Sequence, residues 1–369
     1  MQYATLGNTG LRVSRLGFGA MRLPMDGDRV NRDLAIPMIH RAFEGGVNYI
    51  DTAVGYCNQD SQRAVGEALK GWRDRVVVST KNPYYGEDEK EWWTNLEDSL
   101  ERLNVNCIDV YNTHGVRKQR FEEAVLPRIN KWMLKAKMQG LIRHVCTSFH
   151  DTNETLRQVV DSGVYESITL QYNMLDRQLE DGIAHAREKG VGVVVMGPVG
   201  GGRLGEPSEE LSRLVPGIAR IPELALRFVL ANPNVTVALS GMSAVAHVEE
   251  NLAVASDGRT LDEEDLRIIH AQIDRLKKMA DAYCTGCDYC QPCPQGVQIS
   301  RVFRVYNQAR VYGFHDYARR QYARWAQNPK EGEKLADACA ACGDCLDKCP
   351  QKIPIPDQLK EAHEALIGA

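Results

Sequence analysis

Hydrophobic and polar positions along the first three quarters of the chain alternate between two periods. Short β-branched runs recur at SRLGFGAM (14–21), VNYID (47–51), RVVVST (75–80), CIDVYNT (107–113), IRHVCTS (142–148), SITLQYN (167–173), GVVVMG (192–197) and VTVALSG (235–241). Between them lie stretches with helical spacing, such as RDLAIPMIHRAFEGG, SQRAVGEALKGW, KEWWTNLEDSLERL and NETLRQVVDSG. Near-continuous apolar strands separated by helices predict a parallel sheet buried on both faces. Eight such units favour closure into a (β/α)8 (TIM) barrel. An open doubly wound sheet is the rival, but no G-x-G-x-x-G follows the first strand. The opening YATLGNTGLRVSRLG, with turn signals at Gly7-Asn8 and Thr9-Gly10, predicts a β-hairpin capping the barrel's bottom.

Beyond this pattern the chain changes character. DEEDLRIIHAQIDRLKKMAD (262–281) predicts an acid-started amphipathic helix leaving the barrel. Eight of the eleven cysteines then fall between Cys284 and Cys349. The domain boundary is accordingly expected at 280/281, with a barrel over 1–280 and a second, mainly α-helical domain over 281–369. The net charge of −4 carries no basic excess, so nucleic acid is not an expected partner. No apolar run approaches the roughly 20 residues that span a bilayer, so no membrane is expected either. The N-terminal residues show no charged segment followed by an apolar core, and a cytoplasmic location is expected. Reduced thiols in that compartment make disulfides a poor use of so many cysteines, and metal a good one.

The first cysteine run reads Cys284-x2-Cys287-x2-Cys290-x2-Cys293-Pro294, and the second Cys339-x2-Cys342-x2-Cys345-x3-Cys349-Pro350. The second matches the bacterial ferredoxin run, in which three thiolates bind one [4Fe–4S] cube and the fourth ligates another. The first is one residue shorter before its last cysteine. Two such clusters are expected, with structural zinc as the competing reading, although zinc sites usually separate their Cys pairs by a dozen or more residues. The 45 residues between Cys293 and Cys339 are too many for the small ferredoxin sandwich, and with six arginines (301, 304, 310, 319, 320, 324) they read as helical. Those arginines suit either a docking face for an acidic electron carrier or a solvated helix face.

Barrel enzymes carry their chemistry on the loops after the strand C-termini. Asp51 ends the second strand, Tyr56 follows in its loop, Lys81 follows the third strand and His114 the fourth. Each has an ordinary structural use alone, but adjacent strands aim all four at one mouth. Together they suit carbonyl reduction. Lys81, held charged by Asp51, is expected to lower the Tyr56 pKa, Tyr56 to protonate the carbonyl oxygen, and His114 to polarise it. Tyr84, Tyr85, Trp92 and Trp93 either line the mouth or pack the next helix.

This constellation resembles the aldo-keto reductase family, whose Asp, Tyr, Lys and His tetrad matches Asp51, Tyr56, Lys81 and His114 in order and context. LGNTGLRVSRLGFGAMRL, DTAVGY, VCTSFH, LQYN and VEENLAVA also resemble family motifs, over essentially residues 1–260. The resemblance implies that Ser148, Gln171 and Asn173 hold the nicotinamide amide and ring. Met196, Gly197 and Pro198 would begin the loop over the pyrophosphate, and Ser240, Gly241, Met242, Ser243, Glu250 and Asn251 would meet the adenosine half. Many members carry Lys or Arg in the loop into the eighth helix. Here SGMSAVAHVEEN offers His247 and serines instead, so the resemblance implies NADPH with NADH as the alternative. The cysteine module resembles the α-helical ferredoxin domains of multi-subunit reductases.

The expected function is an oxidoreductase that reduces a small-molecule carbonyl (aldehyde, ketone or sugar), or oxidises the alcohol, with an attached iron–sulfur electron-transfer module. A ferredoxin-type protein is the expected electron partner. The alternative is a non-catalytic or partner-bound electron-transfer subunit with a nicotinamide-sensing barrel. Direct exchange between clusters and nicotinamide would need a splitter such as flavin, for which the sequence carries no signature.

Overall fold

A computed structural model of the chain describes residues 1–368, with the side chain of Ala282 left aside. Ala369, the last residue of the expected C-terminal domain, lies outside the described residues. The predicted opening hairpin is β1 (Tyr3–Thr5) with β2 (Arg12–Ser14), paired antiparallel. Then come β3 (Leu16–Gly19), a small hairpin of β4 (Met25–Asp26) and β5 (Arg29–Val30), β6 (Tyr49–Asp51) and β7 (Val77–Asn82). β8 (Ile108–Val116), β9 (Ile142–Phe149), β10 (Ser167–Gln171), β11 (Gly192–Met196) and β12 (Val237–Ser240) complete the set.

All eight predicted runs are strands, and they close into one parallel barrel in the order β10-β11-β12-β3-β6-β7-β8-β9. Closure occurs where β12 pairs with β3 through Ala238↔Leu16 and Ser240↔Phe18. The four quoted helical stretches appear as Arg32–Glu44, Ser61–Ala68, Glu89–Leu103 and Asn153–Asp161. Their starts follow from local chemistry. Asn31 and Asp88 are N-caps whose side chains accept from Leu34 N and Lys90 N, satisfying donors that the first helical turn leaves open.

The bottom of the barrel is dry. Leu6 and Val13, on either side of the β1–β2 turn, join Tyr49, Val110, Cys146, Val194, Val237 and Leu239 in one buried apolar cluster. The hairpin therefore plugs this end, as its pattern predicted. Its turn is seated on the chain before β11: Asn8 N donates to Gly190 O at 2.8 Å.

Contacts divide the chain into two compact units: residues 1–201 with 225–262, and residues 202–224 with 263–369. Residues 202–224 and 263–280 thus group with the C-terminal part, and not with the barrel to which the sequence reading assigned them. The reason is specific pairing. Glu206 pairs with Arg320, Arg203 Nη1 donates to Gln308 at 3.1 Å, and Gln272 Nε2 donates to Glu210 O at 2.9 Å. In this second unit the helices Glu263–Tyr283, Ile299–Arg310, His315–Gln327 and Ile355–Ile367 bear out the helical reading of the cysteine spacer and its surroundings. Among the described residues, no helix is long and apolar enough to cross a membrane.

The plug makes a checkable claim. Gly7 has φ +50, and a Cβ there would stand 2.3 Å from Gly192 N and 2.5 Å from Gly190 O, both backbone atoms. Gly10 has φ +76 but open space around it. Gly10→Ala should cost about 1 kcal/mol of backbone strain. Gly7→Ala should cost about 1–3 kcal/mol more through overlap, read as a larger drop in thermal midpoint under anaerobic conditions.

Candidate active site and cysteine module

Side chains two apart on a strand share a face. The apolar bottom layer therefore continues upward as a polar one: Tyr49 is followed by Asp51, Val110 by Asn112, and Cys146 by Ser148. On β7, Ser79 is followed in the same way by Lys81. These polar residues are buried, with Asp51 4% and Lys81 1% exposed. Lys81 Nζ donates to Asp51 Oδ1 and, at 2.8 Å, to Thr52 O. Ser79 Oγ donates to Asp51 Oδ2 at 2.7 Å, and Asn112 Nδ2 donates to Ser79 Oγ at 3.0 Å. The carboxylate is held at both oxygens, and it in turn holds the ammonium.

Above this pair, Lys81 Nζ lies 4.9 Å from the centre of the Tyr56 ring, and Tyr56 meets His114 edge-on with ring centroids 6.2 Å apart. All four predicted residues are thus brought together. The Tyr56 loop is unusual: Cys57, Asn58 and Gln59 all have positive φ (51, 53 and 67) without being glycine. Such conformations persist where surroundings over-determine them. Here Asp60 is paired with Arg32 and accepts from Val30 N at 2.9 Å, and Cys57 Sγ donates to Met21 O at 3.5 Å.

One electrostatic expectation is overturned. Tyr56 does not have a lowered pKa; burial raises it, and the opposing pull of Lys81 is smaller. Desolvation of a phenolate outweighs one ammonium that Asp51 already neutralises in part. Lys81 is depressed by burial, but Asp51 and then Tyr56 more than reverse this, leaving its pKa raised. Burial, then Lys81, His150 and Arg120, push His114 down to about 4. The mouth at neutral pH holds a protonated phenol, an ammonium and a neutral imidazole. β8 is irregular here, its register against β9 shifting between Thr113 and Val116. Irregularities of this kind re-aim side chains beside active sites.

The predicted cofactor residues line the same end of the barrel. Ser148 Oγ accepts from Gly115 N at 2.8 Å and keeps its own hydrogen to give. Asn173 is largely committed: Nδ2 donates to Gly197 O, and Oδ1 accepts from Leu175 N and Asp176 N, leaving one amide hydrogen. Gln171 lies against Gly197, where a Cβ would come within 2.5 Å of its Nε2. Gly197, with φ +66, follows Met196 at the end of β11 and precedes buried Pro198. After β12, Ser240 Oγ accepts from Asn251 Nδ2 at 2.9 Å. Met242 is buried, Gly241, Ser243 and His247 are exposed, and Ser243 N donates to His247 Nδ1 at 3.4 Å. Glu250 is half-buried on the helix that follows.

Arg22 was missed by the sequence reading. It is exposed on the loop after β3. Its Nη2 lies 3.7 Å from where a Cβ of Gly201 would stand, and its Cδ 3.6 Å from that of Gly241. It brings a guanidinium to the part of the mouth where the β12 loop has none. The signal was in AMRLP, but only folding places that arginine beside the loops after β11 and β12. Trp92 is 1% exposed and packs on Trp93, Tyr111 and Trp132, so it belongs to the helix packing. Tyr85 is at the mouth, with Oη donating to His114 O at 3.0 Å.

In the second unit the cysteines flank a core of Val297, Val302, Phe303, Tyr322, Trp325 and Ile355. Cys290, Cys293, Cys339, Cys342 and Cys345 line one hollow. Burial raises the Cys284 thiol, and its sulfur neighbours Cys287 and Cys349 add to this. Burial raises Cys290 to about 11, helped by Cys284 and Cys287. Cys345, raised by burial, has Cys339, Cys342 and Cys293 as its sulfur neighbours. Each trio is therefore joined by the last cysteine of the other run. Gly286 N also donates to Cys284 Sγ at 3.4 Å, a kind of contact that tunes cluster potentials. Among the described residues no group of three or more His, Cys, Asp or Glu closes on a single-ion site.

Four of the six spacer arginines have structural partners. Arg301 pairs with Glu333 and lies over Trp325, and Arg310 lies over Tyr283 and Tyr306. Arg319 donates to Ala365 O, and Arg320 pairs with Glu206. Arg304 and Arg324 are exposed.

The profile of the aldo/keto reductase family matches residues 15–274, more than half of the chain. The chain belongs to the aldo/keto reductase family. A 4Fe-4S dicluster domain profile matches residues 283–353, favouring iron–sulfur over zinc in this aldo/keto reductase's C-terminal part. Among similar proteins, L-galactose dehydrogenase of Arabidopsis thaliana is 30% identical, over 76% of this chain and 96% of its own. NADH-specific methylglyoxal reductase of Escherichia coli is 27% identical, over 76% and 99%. Of solved structures, the holo form of an aldo-keto reductase from Bacillus halodurans is 29% identical with a TM-score of 0.63, covering 74% of this chain and 96% of that one. One from Klebsiella pneumoniae, in complex with NADP and acetate, is 26% identical with a TM-score of 0.61, covering 75% and 95%.

The imidazole of His114 provides a test of this electrostatic arrangement. A histidine usually titrates near 6.5. With its pKa pushed down to about 4, His114 should stay neutral from about pH 5 upward, as read from ¹⁵N imidazole shifts. Between about 6.5 and 4 the unfolded chain takes up a proton that the native state refuses, so this group makes stability fall as pH falls. A native midpoint near 6.5 would contradict the burial argument.

Proposed function

We propose that this aldo/keto reductase is a nicotinamide-dependent carbonyl reductase, equally able to run as an alcohol dehydrogenase, with two [4Fe–4S] clusters in its C-terminal part. The observation that carries the reading is the buried Lys81–Asp51 pair beneath Tyr56, with neutral His114 beside it. A bound nicotinamide supplies the hydride, which no side chain can. Everything else falls to the chain. Neutral His114 offers an N–H to the carbonyl oxygen and orients it. Tyr56 Oη, protonated at neutral pH, gives its proton to that oxygen as the carbonyl carbon is reduced. Lys81 then stabilises the phenolate left behind until it is reprotonated, and Asp51 keeps the ammonium in place. The same steps reversed take the proton from an alcohol.

The residues present fit such a cofactor. Ser148, Gln171 and the free amide hydrogen of Asn173 suit a carboxamide. The glycines after β11 and β12, left bare beneath the Arg22 guanidinium, suit a diphosphate. Met196, Gly197 and Pro198 would carry the covering loop, and Ser240, Gly241, Met242, Ser243, His247, Glu250 and Asn251 the adenosine side. A neighbour solved with NADP and a relative named as NADH-specific support both cofactors. NADPH remains the first choice, with Arg22 and His247 as the cations nearest its phosphates.

For the clusters, the crossed neighbours support Cys284, Cys287, Cys290 and Cys349 around one cube and Cys339, Cys342, Cys345 and Cys293 around the other. A cube moves one electron at a time, so the module serves a partner, for which a ferredoxin-type carrier is our choice, and not the hydride step. A cytoplasmic location goes with this reading.

Two measurements follow. Tyr56→Phe keeps the ring and removes the proton, so carbonyl reduction should fall by about 10²-fold or more while nicotinamide binding, followed by fluorescence, persists. Near-normal turnover would refute the proton-donor role. Anaerobically prepared protein should contain about eight irons and eight acid-labile sulfides per chain. Stoichiometric zinc without iron would refute the cluster reading, and about four irons would reduce it to one cube.

A further inference from the structure

The rim on the β8–β9 side of the barrel mouth carries positive charge that the hydride and proton steps do not use. Arg120 Nη1 donates to Gly115 O at 3.0 Å, and the guanidinium lies over the Tyr85 ring, 4.6 Å from its centroid. Gly115 directly follows His114, and Tyr85 is bonded to His114 O, so the guanidinium is pinned one residue from the reacting end. His150, one residue past β9, flanks the other side: a Cβ on Gly115 would stand 3.4 Å from Arg120 Nη1 and 3.9 Å from His150 Cδ2.

The carboxylates nearby in sequence are bonded to groups other than the Arg120 guanidinium. Asp151 accepts from Lys118 N at 2.7 Å and from Thr152 N at 2.8 Å. Glu123 accepts from Gln119 Nε2 at 3.2 Å. The charges acting on His150 are all cations: after burial, Arg117, Lys81 and Arg120 lower its pKa. Arg120 is bonded to Gly115 O and lies against Tyr85, contacts that do not use all five donors of its planar fork. β8 stands four strands from β12 around the eight-stranded ring, on the side of the barrel opposite Gly241 and Arg22. The arginines here are thus remote from the groups suited to a cofactor's phosphates, and they lie beside His114.

We propose that the substrate of this enzyme is a carbonyl compound, or the matching alcohol, that also carries an anionic group, a carboxylate or a phosphate ester. Arg120 grips that group at the rim, with Arg117 and His150 beside it, while the carbonyl oxygen lies between Tyr56 and His114. A neutral aldehyde gains nothing from the Arg120 and Arg117 charges, whereas an anionic one gains charge-assisted hydrogen bonds from Arg120, which pairs with no carboxylate among the described residues, and a neutral hydrogen bond from His150. The proposal rests on the carbonyl reductase reading above.

The test uses the full-length, cluster-loaded enzyme and two matched pairs: succinate semialdehyde with its methyl ester, and glyceraldehyde 3-phosphate with glyceraldehyde. In at least one pair the anionic member should have the higher kcat/KM by about tenfold or more, mainly through KM, and the advantage should shrink with added salt. The pair that shows it identifies carboxylate or phosphate as the group held. In Arg120→Gln the ratio within that pair should collapse toward one, and Arg120→Lys should restore part of it. Should Arg120→Gln misfold, inhibition of the wild type supplies the readout. Succinate or inorganic phosphate should compete with the neutral aldehyde, weakly at high salt and strongly at low salt. Reduction of both pairs with no anionic preference, or a ratio unchanged in a folded Arg120→Gln, overturns the anionic substrate alone. Failure to bind either nicotinamide, seen by fluorescence before any substrate is added, overturns the reductase reading instead.

Discussion

A lysine ammonium with 1% exposure cannot stand alone inside a barrel. The effective penalty for desolvating an ion is several kcal/mol, and removing the partner of a buried pair leaves that penalty uncompensated. Lys81 survives because Asp51 faces it and because Thr52 O and Ser79 add hydrogen bonds to the pair, with Asn112 bonded to Ser79 in turn. The members come from β6, β7 and β8 and the start of the loop after β6. The network therefore exists only if these strands pair in register, as they do through Asp51↔Ser79 and Lys81↔Asn112. Tyr56 sits above this network, in a loop whose left-handed residues are held by Asp60 and Arg32. The arrangement of these four side chains is a consequence of solving the problem of one buried charge.

That solution also sets the electrostatics of the mouth. Because Asp51 compensates much of the ammonium, Lys81 does not pull the Tyr56 phenol below its ordinary range, and burial wins. A raised pKa keeps the hydroxyl protonated, which is the state required of a donor to a carbonyl oxygen. The residual positive potential falls instead on His114 and His150, which burial already biases toward neutrality. A neutral His114 can offer an N–H hydrogen bond into the mouth. The protonation states of Tyr56 and His114 are thus set by their surroundings as well as by their side-chain chemistry.

The cysteine unit uses a different economy. Cys349 is part of its hydrophobic core, the other sulfurs lie at the margin, and Cys287 and Cys342 are exposed. The last cysteine of each run lies beside the opposite trio, which brings the two chain segments together. The spacer helices serve the same end, since three of their six arginines go to Glu206, Glu333 and aromatic faces within the unit and a fourth to Ala365 O. A solvated helix face with internal pairing therefore describes them better than a free basic docking patch.

Much of this was legible in the sequence because periodicity is a local property. Eight apolar strands, the hairpin plug, the four residues at strand ends and the two cysteine runs all follow from spacing along the chain, since continuous apolar runs and tight x2 turns are settled by neighbours. The burial of Trp92 in helix packing, the Tyr56 pKa, the partnering of the arginines and the grouping of residues 202–224 with the C-terminal unit were not legible. Each depends on which distant atoms come close and how much water they displace. The same holds for Arg22 and Arg120, which read as ordinary surface arginines in the sequence. Tertiary structure alone puts one beside the glycines after β11 and β12 and the other beside Gly115, because closing the ring brings loops far apart in sequence to one rim.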